Sequence, residues 1–219
     1  MTVTERQALA AEGRRPAERG QTVGAVGSAS EQAPAERQAL AAEGRRPAER
    51  GQTVWLTGLP SAGKSTIARA LEKRLLDAGE RVEVLDGDVV REHLTRGLGF
   101  SREDRDENVR RIGFVANLLS RNGVTVICPV IAPYRSTRAA VRASHEARFV
   151  EVHVSTPVDV CSERDVKGLY ARQRAGELSG LTGVDDPYEP PLAPEVAVPT
   201  QELSVDESVD RIWQVLQSR

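Results

Sequence analysis

The sequence predicts a three-layer α/β sandwich, in which a mostly parallel central sheet of about five strands lies between helices and a flexible N-terminal arm precedes it. Three observations carry that prediction. From residue 53 onward, short apolar runs alternate with segments of helical period. The first of these runs, Thr53–Thr57, is mostly apolar, as in a strand buried on both faces of a parallel sheet. It leads into Gly58-Leu59-Pro60-Ser61-Ala62-Gly63-Lys64-Ser65-Thr66, a G-x-x-x-x-G-K-S pattern. That pattern has meaning only between a strand and a helix.

The chain begins with a direct repeat: Glu5–Val23 and Glu36–Val54 are identical, and only the second copy runs into the loop. Two perfect copies suggest a tandem duplication rather than a solenoid, which needs several units. Residues 1–50 are rich in Ala, Glu and Arg and hold no aromatic residue, so they bury little surface by themselves. They are read as an arm, mobile in part, with short helices over Glu5–Glu12 and Glu36–Glu43. Residues 51–219 are read as the folded domain.

Thr53–Thr57 is the first strand. The two glycines of the loop let successive N–H groups face one concavity, where phosphate oxygens bind. Lys64 can reach the β- and γ-phosphates, and the Ser65 hydroxyl can ligate Mg²⁺. Ile67, Ala68, Leu71, Leu75 and Leu76 give the next helix its apolar face, and Gly79 stops it. Val82–Leu85 is a second strand, ending in Asp86-Gly87-Asp88. Ligands of open α/β sheets sit beyond the carboxyl ends of the strands. One of these carboxylates is therefore placed to hold metal-bound water, the other to take a proton from an attacking hydroxyl; an Asp N-cap is the plainer alternative.

Arg91 lies on a short helix over Val89–Thr95. Ser101 and Asp104 resemble a capping box at the start of a long helix to Arg121, with Val109, Ile112, Val115, Ala116 and Leu119 inward. Its first turns carry Arg102, Arg105, Arg110 and Arg111, although the helix dipole disfavours cations there. Either they form a solvated face or they receive a polyanion. Val124–Cys128 is the third strand and enters the Pro-rich loop Pro129–Arg135. A basic helix with Arg138 and Arg142 follows, then strand Phe149–Val154 and a short helix opened by Pro157. Asp165–Gly183 is Gly-rich and cationic, with Lys167, Arg172 and Arg174, the makeup of a mobile lid over phosphates. Asp185–Pro191 crosses the surface. Val196–Val198 is the last strand, and Ser204-Val205-Asp206-Glu207 caps a final helix whose Val209, Ile212, Trp213 and Leu216 face inward.

The chain has 219 residues and a formal net charge of −2, which argues against nucleic acid or a membrane surface as partner. No apolar run is long enough to span a bilayer, and no signal-peptide core is present. Cys128 and Cys161 lack Cys or His neighbours at metal-ligand spacing and read as buried, reduced thiols of a cytoplasmic protein. His93, His145 and His153 are isolated and read as packed or surface residues.

The loop alone says only that a nucleoside triphosphate binds. A kinase for some other small hydroxyl compound, or a nucleotide-dependent switch, would share it, although no N-K-x-D motif for guanine follows the later strands. A longer string of motifs narrows the choice. GLPSAGKST, LDGD, GLGFSREDRDENVRRIGFVA, the Ile131–Arg138 loop, FVEVHVSTP, CSERDVKGLYARQRAGE and LTGVDDPYEPP occur in order from about Gly51 to the C-terminus. In these the chain resembles the adenylyl-sulfate (APS) kinases, a P-loop NTPase family. The resemblance implies transfer of the γ-phosphoryl group of ATP to the ribose 3′-hydroxyl of APS, giving 3′-phosphoadenylyl sulfate (PAPS) and ADP, with Mg²⁺ as cofactor. It implies Gly58–Thr66 as the ATP site, Lys64, Asp86 and Asp88 as catalytic residues, and Ser65 with Asp86 at the metal.

For APS, the resemblance implies Asp88, Arg91, Phe100, Arg105, Asn108, Ile131, Ala132, Lys167 and Leu181. Phe100 would stack on the adenine, while Arg91, Arg105 and Asn108 hold phosphosulfate and ribose. Family members often carry Ser where Ala132 stands, proposed as a phosphorylated intermediate, and Phe where Leu181 stands. Ala132 cannot be phosphorylated, so direct in-line transfer is the expectation. Leu181 would keep apolar contact with the base but lose one stacking face, worth about 1 kcal/mol. The resemblance further implies a homodimer, and association with ATP sulfurylase as a separate chain.

Overall fold

The computed structural model describes residues 51–218; the expectations of an arm and of helices at Glu5–Glu12 and Glu36–Glu43 lie outside them. Five strands form one parallel sheet: β1 (Gln52–Thr57), β2 (Val82–Val84), β3 (Thr125–Pro129), β4 (Arg148–Val154) and β5 (Val196–Val198), in the order β2-β3-β1-β4-β5. The helices are α1 (Lys64–Asp77), α2 (Gly87–His93), α3 (Arg102–Ser120), α4 (Arg135–Ser144), α5 (Val158–Arg164), α6 (Leu169–Arg174) and α7 (Val205–Gln217).

β1 is the middle strand, and its residues divide the core. Val54 and Leu56 point into one apolar cluster with Ile67, Leu71 and Leu75 of α1 and Val209, Ile212 and Leu216 of α7. Trp55 points the other way, into a cluster with Val109, Ile112 and Ala116 of α3 and Val141 of α4. A strand with helices on both faces is apolar at its centre, which explains the Val54-Trp55-Leu56 run read in the sequence. The three-layer sandwich is thus present, with every strand pair parallel.

Local details follow the expected chemistry with small changes. Gly79, at φ +81°, ends α1. Its N–H donates to Leu76 O at 2.9 Å and that of Glu80 donates to Leu75 O at 3.0 Å, a Schellman ending. Leu76 is 53% exposed rather than inward, because the buried stripe of α1 runs through Leu71 and Leu75 and leaves it at the rim. Ser101 accepts from Asp104 N at 3.1 Å, one half of a capping box, whereas Ser204 and Glu207 complete both halves. Val115, Leu119 and Trp213 are only partly buried. Both cysteines are buried and free. Among the described residues no helix is long and apolar enough to cross a membrane.

Candidate active site

The Gly58–Thr66 loop leaves the carboxyl end of β1 and delivers the chain into α1. A Cβ on Gly58 would lie 2.5 Å from Val154 O, so the loop could not pass β4 with any larger residue. Gly63 sits at φ +104° and leaves the N-terminus of α1 without a side-chain cap or an acidic first turn. By contrast α2, α3 and α7 are capped by Asp86, Ser101 and Ser204. The first N–H groups of α1 therefore remain for a ligand, at the positive end of the helix dipole.

The loop's carbonyls are held from outside. Thr156 and Thr200 hydroxyls donate to Ala62 O at 2.9 and 3.1 Å, and the Tyr170 hydroxyl donates to Pro60 O at 3.1 Å. The Lys64 ammonium donates to Gly58 O at 2.9 Å and Leu59 O at 2.7 Å. Lys64 is buried, and burial is the main force that lowers its pKa from 10.5 to about 8.

Asp86 caps α2 and also meets Ser65 of the loop. One carboxylate oxygen caps α2 by accepting from Asp88 N at 3.0 Å, and the other accepts from Ser65 Oγ at 3.3 Å. A hydroxyl and a carboxylate at the triphosphate end of the loop suit a hard cation that keeps most of its water. Among the described residues no cluster of three or more His, Cys, Asp or Glu side chains could hold a metal by itself, so phosphate oxygens and water would complete such a site. Asp88 is exposed and pairs with Lys167, which links α2 to the segment before α6.

After α2, Phe100 is 66% exposed, and the Arg91 guanidinium lies over its ring at 4.6 Å. Burial, then the like charge of Arg105, pulls the pKa of Arg91 below its ordinary value. Asn108 Oδ1 is buried without a hydrogen-bond partner. An aromatic shelf, crowded cations and an orphaned polar atom therefore occur together on α2, α3 and the loop joining them.

Two predicted residues differ from expectation. Arg105 is buried and already engaged: Nε donates to Phe100 O at 2.8 Å, Nη2 to Gly180 O and Nη1 to Thr182 Oγ1, with Asp186 Oδ2 at 3.2 Å. It ties the shelf to the 180–186 segment. Leu181 is 5% exposed and packs in the α1/α7 cluster, so its side chain is core and presents almost no face to a base. Two other cations of α3 also have partners within the protein: Arg102 lies over the Tyr134 ring at 4.3 Å and Arg111 pairs with Glu107 at 2.7 Å. A solvated or internally paired face describes those two.

Ile131 and Ala132 follow β3 at the same end of the sheet. Ala132 is buried at φ +43°. The lid segment contains the two-turn α6, whose Tyr170 is buried against the phosphate loop. That anchor was missed in the sequence, as were Thr57, Arg138, Thr156, Tyr188 and Thr200. Thr57 carried a signal, as a polar residue ending an apolar strand just before the loop. The rest touch the site only through contacts distant in sequence. His145 and His153 are packed residues: His145 meets the Phe149 ring edge-on and His153 stacks on Tyr188.

Comparison with known proteins accords with this arrangement. The family described as adenylylsulphate kinase matches residues 50–199. The chain is 60% identical over 161 residues to an adenylyl-sulfate kinase of Rippkaea orientalis, covering 74% of this chain and 88% of that protein. Among solved structures, it resembles an APS kinase of Mycobacterium tuberculosis in complex with AMPPNP and APS, with TM-score 0.74, 44% identity and coverage of 77% of this chain and 99% of that one. A hexameric APS kinase from Thiobacillus denitrificans matches with TM-score 0.61 and 43% identity, over 82% of this chain and 31% of that chain. A phosphate loop at the head of a parallel sheet of this order, a family match over residues 50–199 and relatives this similar place the chain in the adenylyl-sulfate kinase family.

Proposed function

We propose that this chain transfers the γ-phosphoryl group of ATP to the ribose 3′-hydroxyl of APS, releasing PAPS and ADP. The observation that carries the reading is the exposed Phe100 ring with Arg91 over it, in a chain that also carries a phosphate loop. It offers a second purine a stacking surface and a second anion a guanidinium. The orphaned Asn108 Oδ1 supplies an acceptor for a ribose hydroxyl.

The triphosphate binds along the Gly58–Thr66 amides and the start of α1. Lys64 leaves the Gly58 and Leu59 carbonyls for the β- and γ-phosphates. Ser65 and Asp86 would hold Mg²⁺, which would supply positive charge against the charge that grows on the transferring phosphoryl group. The 3′-oxygen of APS attacks the γ-phosphorus in line; the bond from that phosphorus to the β,γ-bridging oxygen breaks, and ADP leaves. Asp88 accepts the hydroxyl proton and passes it to solvent. Ala132 has no hydroxyl to phosphorylate, so the transfer is direct. Arg105 serves this site by holding the Phe100 backbone and the 180–186 segment together. Lys167, paired with Asp88, brings a lid cation to the acceptor.

Residues 51–219 form the catalytic domain in this reading, and residues 1–50 an appendage. The hexameric relative favours a homo-oligomer, and ATP sulfurylase, whose product is APS, is the partner to test by co-purification. The deciding experiment incubates the purified chain with ATP, Mg²⁺ and APS and follows PAPS and ADP. Stoichiometric products that depend on APS and vanish in Lys64→Ala are expected. ADP release without PAPS, or preference for another hydroxyl acceptor, would overturn the reading.

A further inference from the structure

The Ile131–Ala132 turn follows β3 at the carboxyl end of the sheet, and its backbone conformation at Ala132 is one that a residue with a Cβ rarely adopts. Ala132 stands at φ +43° and is 3% exposed. Such a turn persists only where its surroundings over-determine it. Here two side chains grip its carbonyls from opposite sides. Thr57 Oγ1 donates to Ile131 O at 2.6 Å and lies 3.4 Å from Ala132 O. Arg138 Nη1 donates to Ala132 O at 2.7 Å.

Both grips are themselves braced. With its proton spent on Ile131, the Thr57 oxygen accepts from the Tyr188 hydroxyl at 3.1 Å. Burial raises the pKa of Tyr188 to about 12, so it remains a protonated donor. Arg138 is buried, with Nε on Glu151 Oε1 at 2.8 Å and Nη2 on Glu189 O at 2.7 Å. Glu151 is steadied from its other oxygen by Arg142 at 3.4 Å, and Arg142 pairs with Glu195. Glu189 also accepts from Arg135 N at 2.8 Å through its side chain. The planar fork of an arginine spreads its donors over three nitrogens in a fixed geometry, so it spans acceptors that the single nitrogen of a lysine cannot.

We infer that Thr57 and Arg138 are positioning residues for the phosphoryl acceptor, acting through the Ile131–Ala132 turn. They join it to the end of β1 and to the 186–189 segment. Asp186 in that segment contacts Arg105, so the turn and the aromatic shelf are braced by one continuous set of bonds. Thr57 precedes Gly58 directly, so the residue that holds the acceptor turn is covalently the neighbour of the ATP loop. The inference rests on the proposed reading in one respect, that Ile131 and Ala132 border APS.

The test pairs steady-state kinetics with hydrogen exchange on the full chain. Thr57→Val keeps the shape and removes the hydroxyl; Thr57→Ser restores it; Tyr188→Phe removes only the outer brace. In Thr57→Val, the KM for APS should rise about tenfold with the KM for ATP within about twofold, as one well-made hydrogen bond is lost. Thr57→Ser should return near wild type, and Tyr188→Phe should shift the same constant by about threefold. Amides of residues 130–135 should exchange faster in Thr57→Val and Tyr188→Phe while those of α1 do not change.

Unchanged exchange over 130–135 in both variants would overturn the clamp. Equal rises in both KM values would show general damage at the end of β1 and would also overturn it. Faster exchange with an unchanged KM for APS would show a clamped turn that does not border the acceptor. That last result would remove Ile131 and Ala132 from the proposed APS site as well as the positioning role, while leaving the overall reaction standing.

Discussion

Lys64→Met isolates the energetics of the buried ammonium, because methionine keeps the length and apolar stem and removes the charge. Burial lowers the lysine pKa from 10.5 to about 8. The gap corresponds to about 3 kcal/mol of cost in holding the charge inside the nucleotide-free protein. Below pH 8 the folded and unfolded chains both carry the proton, so the cost is fully present. Between pH 8 and 10.5 the folded chain releases its proton first. The unfolded chain then binds more protons, and stability rises with pH. Integrated over that window, the cost falls from about 3 kcal/mol at pH 7 to about 1 kcal/mol at pH 10.

Methionine also withdraws a donor from two carbonyls. Leu59 O keeps the Ala62 N–H at 3.2 Å. Gly58 O loses the ammonium, at a cost of about 1–3 kcal/mol. At pH 7 the variant should therefore equal the wild type or exceed it by up to about 2 kcal/mol, while losing phosphoryl transfer. Urea denaturation of both proteins without nucleotide, at pH 7 and pH 10, measures the difference. Subtracting the two curves cancels the groups they share. The variant's relative advantage should shrink by about 2 kcal/mol at the higher pH. A difference that does not move with pH would refute the claim that the ammonium is held against a desolvation cost.

Three further predictions concern other parts of the site and scaffold. Asp86→Asn should keep the α2 cap, since Asn caps as well as Asp, and change stability by less than about 0.5 kcal/mol. It should still lower kcat about a hundredfold and raise the Mg²⁺ concentration needed for half-maximal rate, read from metal titrations at saturating ATP and APS. Arg105→Lys keeps the charge but cannot span Phe100 O, Gly180 O and Thr182 together. Calorimetric titration with APS in the presence of Mg·ADP should show at least about tenfold weaker binding, and thermal unfolding a loss of about 2–3 kcal/mol. Ser204→Ala breaks the capping box of α7, far along the chain from the site. It should cost about 1 kcal/mol by denaturation and leave kcat/KM for both substrates unchanged.

The order of elements was legible because local chemistry dictated it. A strand buried on both faces had to be apolar at its centre, Gly79 had to end α1, and Ser204 with Glu207 had to begin α7. The phosphate loop was legible for the same reason, since its function lies in consecutive backbone amides. Asp86 was half legible: the sequence offered a cap or a metal ligand as alternatives, and folding assigns one oxygen to the cap and the other to Ser65. Leu181 shows the opposite limit. Its position in a motif suggested a surface against a base, but Gly183 and Leu59 draw its segment into the core, which only packing could decide.

What the sequence by itself determined is the chemistry available: one phosphate loop, two carboxylates after β2, an aromatic and several cations around α3. These are short-range patterns, carried by residues close together in the chain. What only the tertiary structure decided is which of those groups remain for a ligand and which are spent on the scaffold. Arg105 and Arg102 looked alike on one helix face, but one ties two loops together and the other stacks on Tyr134. Thr57, Arg138 and Tyr188 looked incidental, yet they converge on one strained turn. The reason is physical: a hydrogen bond between residues far apart in the chain leaves no periodic trace in sequence. It exists only once the parallel sheet has brought the carboxyl ends of its strands to one edge.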